Sequence, residues 1–155
     1  MINLVEELQK AYHGDPWHGG NVLDLLLIAN PEKVFTHPIP NAHSIAELTL
    51  HLIAWTEEVI ERINGSAAKM PSRGDWPLPK ENSTDEWNKI LGEFKEANEQ
   101  LLATIDQLDP EQWATVVKDK RNPALGTGVN NAQLINGLIQ HHAYHAGQMA
   151  LLLKF

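Results

Sequence analysis

Apolar residues recur every three or four positions along most of this chain, and polar residues fill the positions between them. That spacing is typical of amphipathic helices. Gly14-Asp15-Pro16 interrupts the first stripe, so we interpret the first two helical segments as one broken element. The predicted helical segments are 2–13, 20–29, 45–64, 83–108, 110–114 and a last one from 130 or 131 to the C-terminus.

Two serine-to-glutamate spacings mark the predicted starts of the second and third helical elements. Ser44 is followed three positions later by Glu47, and Ser83 is followed by Glu86 at the same spacing. In such a capping box, each side chain accepts a hydrogen bond from the backbone of the other residue. We therefore expect both boxes to form at these helix starts.

Four long helical elements in one chain of 155 residues predict an all-α fold, a single four-helix-bundle domain over 1–155. The connection over 65–82 is 18 residues long and rich in Pro, Gly and Ser. A helix of about 20 residues is about 30 Å long, a distance that such a connection can span. Helices two and three could therefore run parallel, joined by a long crossover.

Composition narrows the choice of partners. Twenty acidic against 12 basic residues give a net charge of −8, which disfavours nucleic acid and anionic membranes as partners. Cysteine is absent, so disulfides, thiolate metal sites and a protein-borne thiol nucleophile are excluded. The acidic N-terminus is unlike a signal peptide, and no apolar run reaches the ~18–20 residues of a membrane span. We expect a cytoplasmic protein.

Eight histidines are the one unusual feature of the composition, and three of them lie close together near the C-terminus. His141 and His145 are four positions apart, so they project from one face of the last helix and can reach one metal ion. His142 is rotated by about 100° from His141 and should not share that ion. The alternative is that these histidines hydrogen-bond across the bundle or face solvent.

His51 supplies a possible third ligand from the second helical element. It borders the apolar stripe beside Leu48 and Trp55, although taken alone it is better explained as a histidine on the flank of that stripe. Three neutral imidazoles leave coordination positions open, as catalytic metal sites do. The donor set does not distinguish zinc, nickel, copper, iron or manganese.

Other residues could serve the same site. Glu47 and Glu58 flank His51 and could orient its ring. His18, His43 and Gln148 are candidates to position a substrate or transfer a proton. Because long loops in compact bundles are often functional, we expect Trp76, Trp113 and the 115–129 loop near the open end of the site.

The chain resembles the DinB-like, or YfiT-like, superfamily. The resemblance rests on His51 within the segment 44–55, on the His-x-x-x-His-x-Gly-Gln pattern that begins at His141, and on four helices with a long second connection. It implies an up-down-down-up bundle, often dimeric, with one divalent metal held by His51, His141 and His145. Relatives of this kind include S-transferases that use low-molecular-weight thiols, and a thiol-dependent isomerase.

Three functional hypotheses follow. The first is a metal-dependent enzyme acting on a small-molecule substrate, a thiol S-transferase or, as runner-up, a hydrolase, in which the ion lowers the pKa of a bound thiol or water. Because the chain has no cysteine, any thiol would come from a cofactor. The second is a non-catalytic metal- or ligand-binding bundle that acts as a sensor or interaction protein. The third is a purely structural bundle with core histidines. We expect the protein to be a homodimer.

Overall fold

The computed structural model describes residues 2–120 and 128–155, and within them every regular element is a helix. A single isolated bridge pairs Val116 with Asn130. The prediction of an all-α fold is confirmed for the described residues, and the helices lie close to the predicted segments. The helices are α1 (Leu4–His13), α2 (Val22–Leu27), α3 (Ile45–Ile63), α4 (Thr84–Asp106), α5 (Pro110–Trp113) and α6 (Asn131–Leu152).

The helix starts follow local side-chain chemistry, with one difference from prediction. At α3 the box is complete, because Ser44 accepts from the Glu47 backbone and Glu47 accepts from the Ser44 backbone. At α4 only half of it forms. Ser83 accepts from the Glu86 backbone, but the Glu86 carboxylate accepts from the backbone of Lys80 instead, at 3.1 Å. The preceding loop places the backbone N–H of Lys80 beside Glu86, and Glu86 therefore bonds Lys80 and not the backbone of Ser83.

Two clusters of buried side chains hold the long helices together. The first joins the N-terminal halves of α3 and α4 to the C-terminal half of α6, for example through Leu52, Phe94 and Met149. The second joins the opposite halves, for example through Ile60, Leu101 and Ile135. Residues 141–145 of α6 lie at the junction of these clusters, close to α3, and this position brings the histidines of the two helices together.

The long connection between α3 and α4 is held against the bundle. Arg73 donates to Glu57 on α3, at 2.8 Å, and to Glu93 on α4. The backbone of Ala68 donates to the carbonyl of Lys118, at 2.7 Å. These contacts anchor the part of the connection that precedes Trp76. Trp76 itself packs against the first cluster.

The helices of residues 2–120 and 128–155 mix polar and apolar side chains along their length. None of these helices is both long and apolar enough to cross a bilayer. Most of their buried apolar side chains belong to the two internal clusters.

Candidate metal centre

Three histidines from two helices converge on one small volume. His51 comes from α3, and His141 and His145 come from α6. The Nε2 atom of His141 lies 2.9 Å from Nε2 of His51 and 2.9 Å from Nε2 of His145. All three candidate ligand atoms lie within 4.8 Å of one another. His51 and His145 are buried, so bulk water has little access to these nitrogens.

Two of the three rings are held in a defined orientation. His145 Nδ1 donates to Gln148 Oε1 at 2.6 Å, and His51 Nδ1 donates to the backbone carbonyl of Asp75 at 2.6 Å. A neutral imidazole carries one N–H, so with that proton on Nδ1 the Nε2 atom presents a lone pair. Both rings therefore direct an electron pair into the centre, as the ligands of a metal site do.

Burial keeps the three rings uncharged at neutral pH. Loss of solvent, followed by the repulsion of His145 and His51, lowers the pKa of His141 to about 3. Burial is also the largest cause that lowers the pKa of His51 and of His145. Only a neutral imidazole can coordinate a metal, so the electrostatics favour the ligand form.

The spacing of the nitrogens fits a shared ion. Metal–imidazole bonds are about 2.0–2.1 Å long, so two nitrogens on one ion lie at most about 4.2 Å apart. The two separations of 2.9 Å fall well inside that limit. The two lone pairs fixed on His51 and His145 both point toward Nε2 of His141, and a cation shared by the three nitrogens would stabilise this arrangement. The cluster could therefore bind a divalent metal ion.

Trp76 covers one side of the cluster. Its indole lies between two imidazoles, stacked on His51 at 3.8 Å and on His43 at 3.6 Å between ring centroids. Its ring also meets His145 edge-on at 6.0 Å. The expectation that Trp76 lies beside the site is confirmed. His43, whose ring is nearly half exposed, is separated from the cluster by the thickness of the Trp76 ring.

The other predicted site residues differ in where they lie. Gln148 contacts the cluster directly, and its amide oxygen is engaged by His145. His18 is exposed in the connection between α1 and α2, and within the described residues it makes no contact with the three histidines. His142 is fully buried and points to α4, where its Nε2 lies 3.0 Å from the Asn98 amide while its Nδ1 donates to the Leu138 carbonyl. This placement agrees with the helical spacing.

Sequence reasoning missed Asp75, whose backbone carbonyl orients His51. Its carboxylate accepts from Trp55 Nε1 at 2.8 Å. Two carboxylates close to His51 in the sequence bond other groups and do not orient its ring. Glu47 bonds the Ser44 backbone and His37, whereas Glu58 bonds Arg62 and the Lys69 backbone. No sequence signal identifies a backbone carbonyl as a partner, although Asp75 immediately precedes Trp76, which was predicted to lie near the site.

Trp113 lies away from the histidines, and the expectation that it borders their site is wrong. It packs against the second cluster and lines a separate cavity with Leu4, Val5 and the first turn of α6. Of the predicted 115–129 loop, Val129 lines the cavity beside the histidines, and residues 121–127 lie outside the described part of the chain. The short α5 turn directs Trp113 toward α1 instead.

The cavity beside the histidines, which Val129 also lines, has a volume of about 440 Å³ and lies between α3 and α6. His51 and His141 form one end of it, and Arg62 lines it farther along α3. The histidine cluster is therefore in contact with a space large enough for a small molecule.

Comparison with protein-family models gives a match that covers most of the chain. The model of the DinB superfamily matches residues 6–149, which is nearly the whole chain and includes all three histidines of the cluster. A comparison with curated proteins found no match.

Proposed function

We propose that this chain, which belongs to the DinB superfamily, binds one divalent metal ion through His51, His141 and His145 and acts as a metal-dependent enzyme on a small molecule. The reaction we favour is transfer to or from a low-molecular-weight thiol, with hydrolysis as the second possibility within this class. The observation that carries the proposal is the convergence of three neutral imidazole nitrogens, two of them oriented by bonds at Nδ1.

The ion would supply Lewis acidity, lowering the pKa of a thiol or water bound beside it. The chain's own residues perform the remaining tasks. Asp75 and Gln148 keep the rings of His51 and His145 in the ligand tautomer. Trp76 excludes water from one side of His51. Because the chain contains no cysteine, the thiol must arrive as a cofactor or substrate.

Two residues are proposed to handle protons or substrate. His43 is exposed and lines a cavity of about 300 Å³ together with Gln148, the residue that bonds His145. It is therefore better placed for proton transfer than His18, which lies in an exposed turn. Gln148 acts first as the partner of His145, and any contact with substrate would use its amide NH₂ group.

The test combines metal analysis with turnover. Protein purified without a histidine tag should contain about one divalent ion per chain by elemental analysis. The loaded protein should then accelerate reaction of a thiol panel with an electrophile, or hydrolysis of an activated ester, and His141→Ala should not. Bound metal without turnover in either assay would favour the non-catalytic metal-binding role, and the absence of metal would contradict the proposal as a whole.

The architecture proposed with this function is a single up-down-down-up four-helix bundle that forms a homodimer. Support for the topology comes from the buried clusters. The N-terminal halves of α3 and α4 pack against the C-terminal half of α6, and their C-terminal halves pack against its N-terminal half, so α6 runs antiparallel to both. Support for the parallel α3–α4 pair comes from the long connection between them. Sedimentation as a monomer at micromolar concentration would contradict the dimer and leave the topology unaffected.

A further inference from the structure

The cavity beside the histidines has chemically different ends. His51, His141 and Asp75 line one end, and Arg62 lines the other. The Trp55 ring lies between them, 6.4 Å from the His51 ring and 5.6 Å from the guanidinium carbon of Arg62. The two ends are thus within roughly 12 Å of each other, so one elongated small molecule can contact both.

The wall between the ends is mainly apolar. Val59 of α3 and Leu134 and Leu138 of α6 contribute aliphatic surface, and the Trp55 ring adds an aromatic face. Gly137 of α6 also lines the cavity, and a Cβ built on it would meet no atom within 4 Å. A wall of this kind binds a hydrocarbon body and leaves recognition to the ends.

Arg62 has a donor to spare. Its Nε donates to Glu58 at 2.9 Å and its Nη2 donates to the Lys69 carbonyl at 3.0 Å, which fixes the plane of the guanidinium. Within the described residues, Nη1 meets no acceptor of the protein. Glu58 is buried behind Arg62 and does not line the cavity. A fixed guanidinium with unused N–H groups is a strong site for a carboxylate.

We propose that this cavity binds an elongated small molecule with an apolar body, whose carboxylate bonds Arg62 and whose other end reaches the histidine cluster. The inference rests on the proposed function, because it names the class of molecule on which that site would act. The protein's own charges set the orientation. Asp75 repels a carboxylate from the histidine end, and Arg62 attracts it to the opposite end.

The experiment compares 6-mercaptohexanoate with 6-mercaptohexanol, which has the same length and lacks the charge. Isothermal titration is done on metal-loaded protein and on protein stripped by a chelator, with metal content measured on the same samples. We expect the acid to bind the loaded protein about tenfold or more tightly than the alcohol, and the preference to persist without metal because Arg62 provides it.

Variants separate the charge from the shape of the cavity. In Glu58→Gln/Arg62→Gln neither charge of the buried pair remains, so no charge is left unpaired, and the preference for the acid should disappear. Glu58→Gln alone keeps Arg62 and should keep the preference. Gly137→Leu should weaken both ligands about tenfold, because it fills the cavity. Gly92→Leu, an equally unobstructed position on α4, should bind both ligands as the parent does.

The failures are distinguishable. Equal affinity of acid and alcohol for the parent, or unchanged binding by Gly137→Leu, would overturn the inference even if the protein binds metal. A preference for the acid in a protein that takes up no metal would support the cavity assignment and contradict the proposed function. If Glu58→Gln, which keeps Arg62, lost the preference for the acid over the alcohol, Arg62 would not be the source of that preference.

Discussion

His145 donates its Nδ1 proton to the amide oxygen of Gln148 at 2.6 Å, one helical turn further along α6. The bond places the lone pair of His145 on Nε2, the atom that faces His141 and His51. The His-x-Gly-Gln portion of the sequence is therefore one structural unit, in which the glutamine sets the tautomer of the histidine.

Gln148→Ala should weaken divalent-metal affinity about tenfold to a hundredfold, because His145 loses the acceptor that orients its ring. Gln148→Glu retains an acceptor and should stay near the parent value. Competition with a chromophoric chelator measures the affinity. Gln140→Ala changes an exposed glutamine on the same helix and serves as the control. Parent-like affinity in Gln148→Ala would show that Gln148 has no orienting role.

Replacing His51, His141 or His145 by alanine should remove most of the bound metal, because each supplies one of three converging nitrogens. His142→Ala should retain the metal. It should instead lower the free energy of unfolding by about 2–4 kcal/mol, since it leaves a cavity and removes the partner of Asn98. Elemental analysis and urea unfolding measure the two effects. Metal loss in His142→Ala, or full retention in His51→Ala, would refute the assignment.

Trp76→Ala should weaken metal affinity roughly twofold to tenfold, the value expected for losing an aromatic stack that holds His51 in place. Trp76→Phe should recover part of the loss. Trp113→Ala is the matched control, because it removes an indole that lines a different cavity. Competition with the chromophoric chelator again measures the metal affinity. An equal loss of affinity in Trp76→Ala and Trp113→Ala would mean that the loss does not come from the contact of Trp76 with His51.

The metal-free protein should lose stability as the pH falls from about 6.5 toward about 4. Burial lowers the pKa of His142 to about 4 and that of His141 to about 3 in the folded state, whereas unfolded histidines titrate near 6.5. Between these values the unfolded chain binds protons that the folded chain does not, so acid favours unfolding. Urea unfolding at pH 7, 6 and 5 measures this trend.

A free energy of unfolding that stays constant from pH 7 to pH 5 would contradict these pKa directions. His142→Gln offers a control, because it removes one of the two histidines whose pKa is lowered most. The free energy of unfolding of this variant should therefore depend less steeply on pH. Metal-loaded protein should show a steeper loss than metal-free protein, since protons then also compete with the ion for the imidazoles.

The sequence by itself determined the features that depend on neighbours three or four positions away. The period of apolar residues located the helices, and Ser44 with Glu47 marked the start of α3, because helix spacing and capping are local. The placement of His141 and His145 on one face, with His142 on another, follows from the same 3.6-residue turn. The incomplete box at Ser83 marks the limit of this reasoning, because a loop residue competes for Glu86.

Only the tertiary structure decided how the distant parts meet. The path of the 64–83 connection sets Asp75 and Trp76 against His51, 24 and 25 positions away, and one of these contacts uses a backbone carbonyl that every residue possesses. Trp76 and Trp113 look alike as loop-associated tryptophans, yet packing sends them to different cavities. The sequence shows Arg62 only as an arginine near the end of a helix. Its pairing with Glu58 and its position along the cavity are evident only in the tertiary structure. Such contacts depend on how helices and loops pack in three dimensions, which local periodicity does not encode.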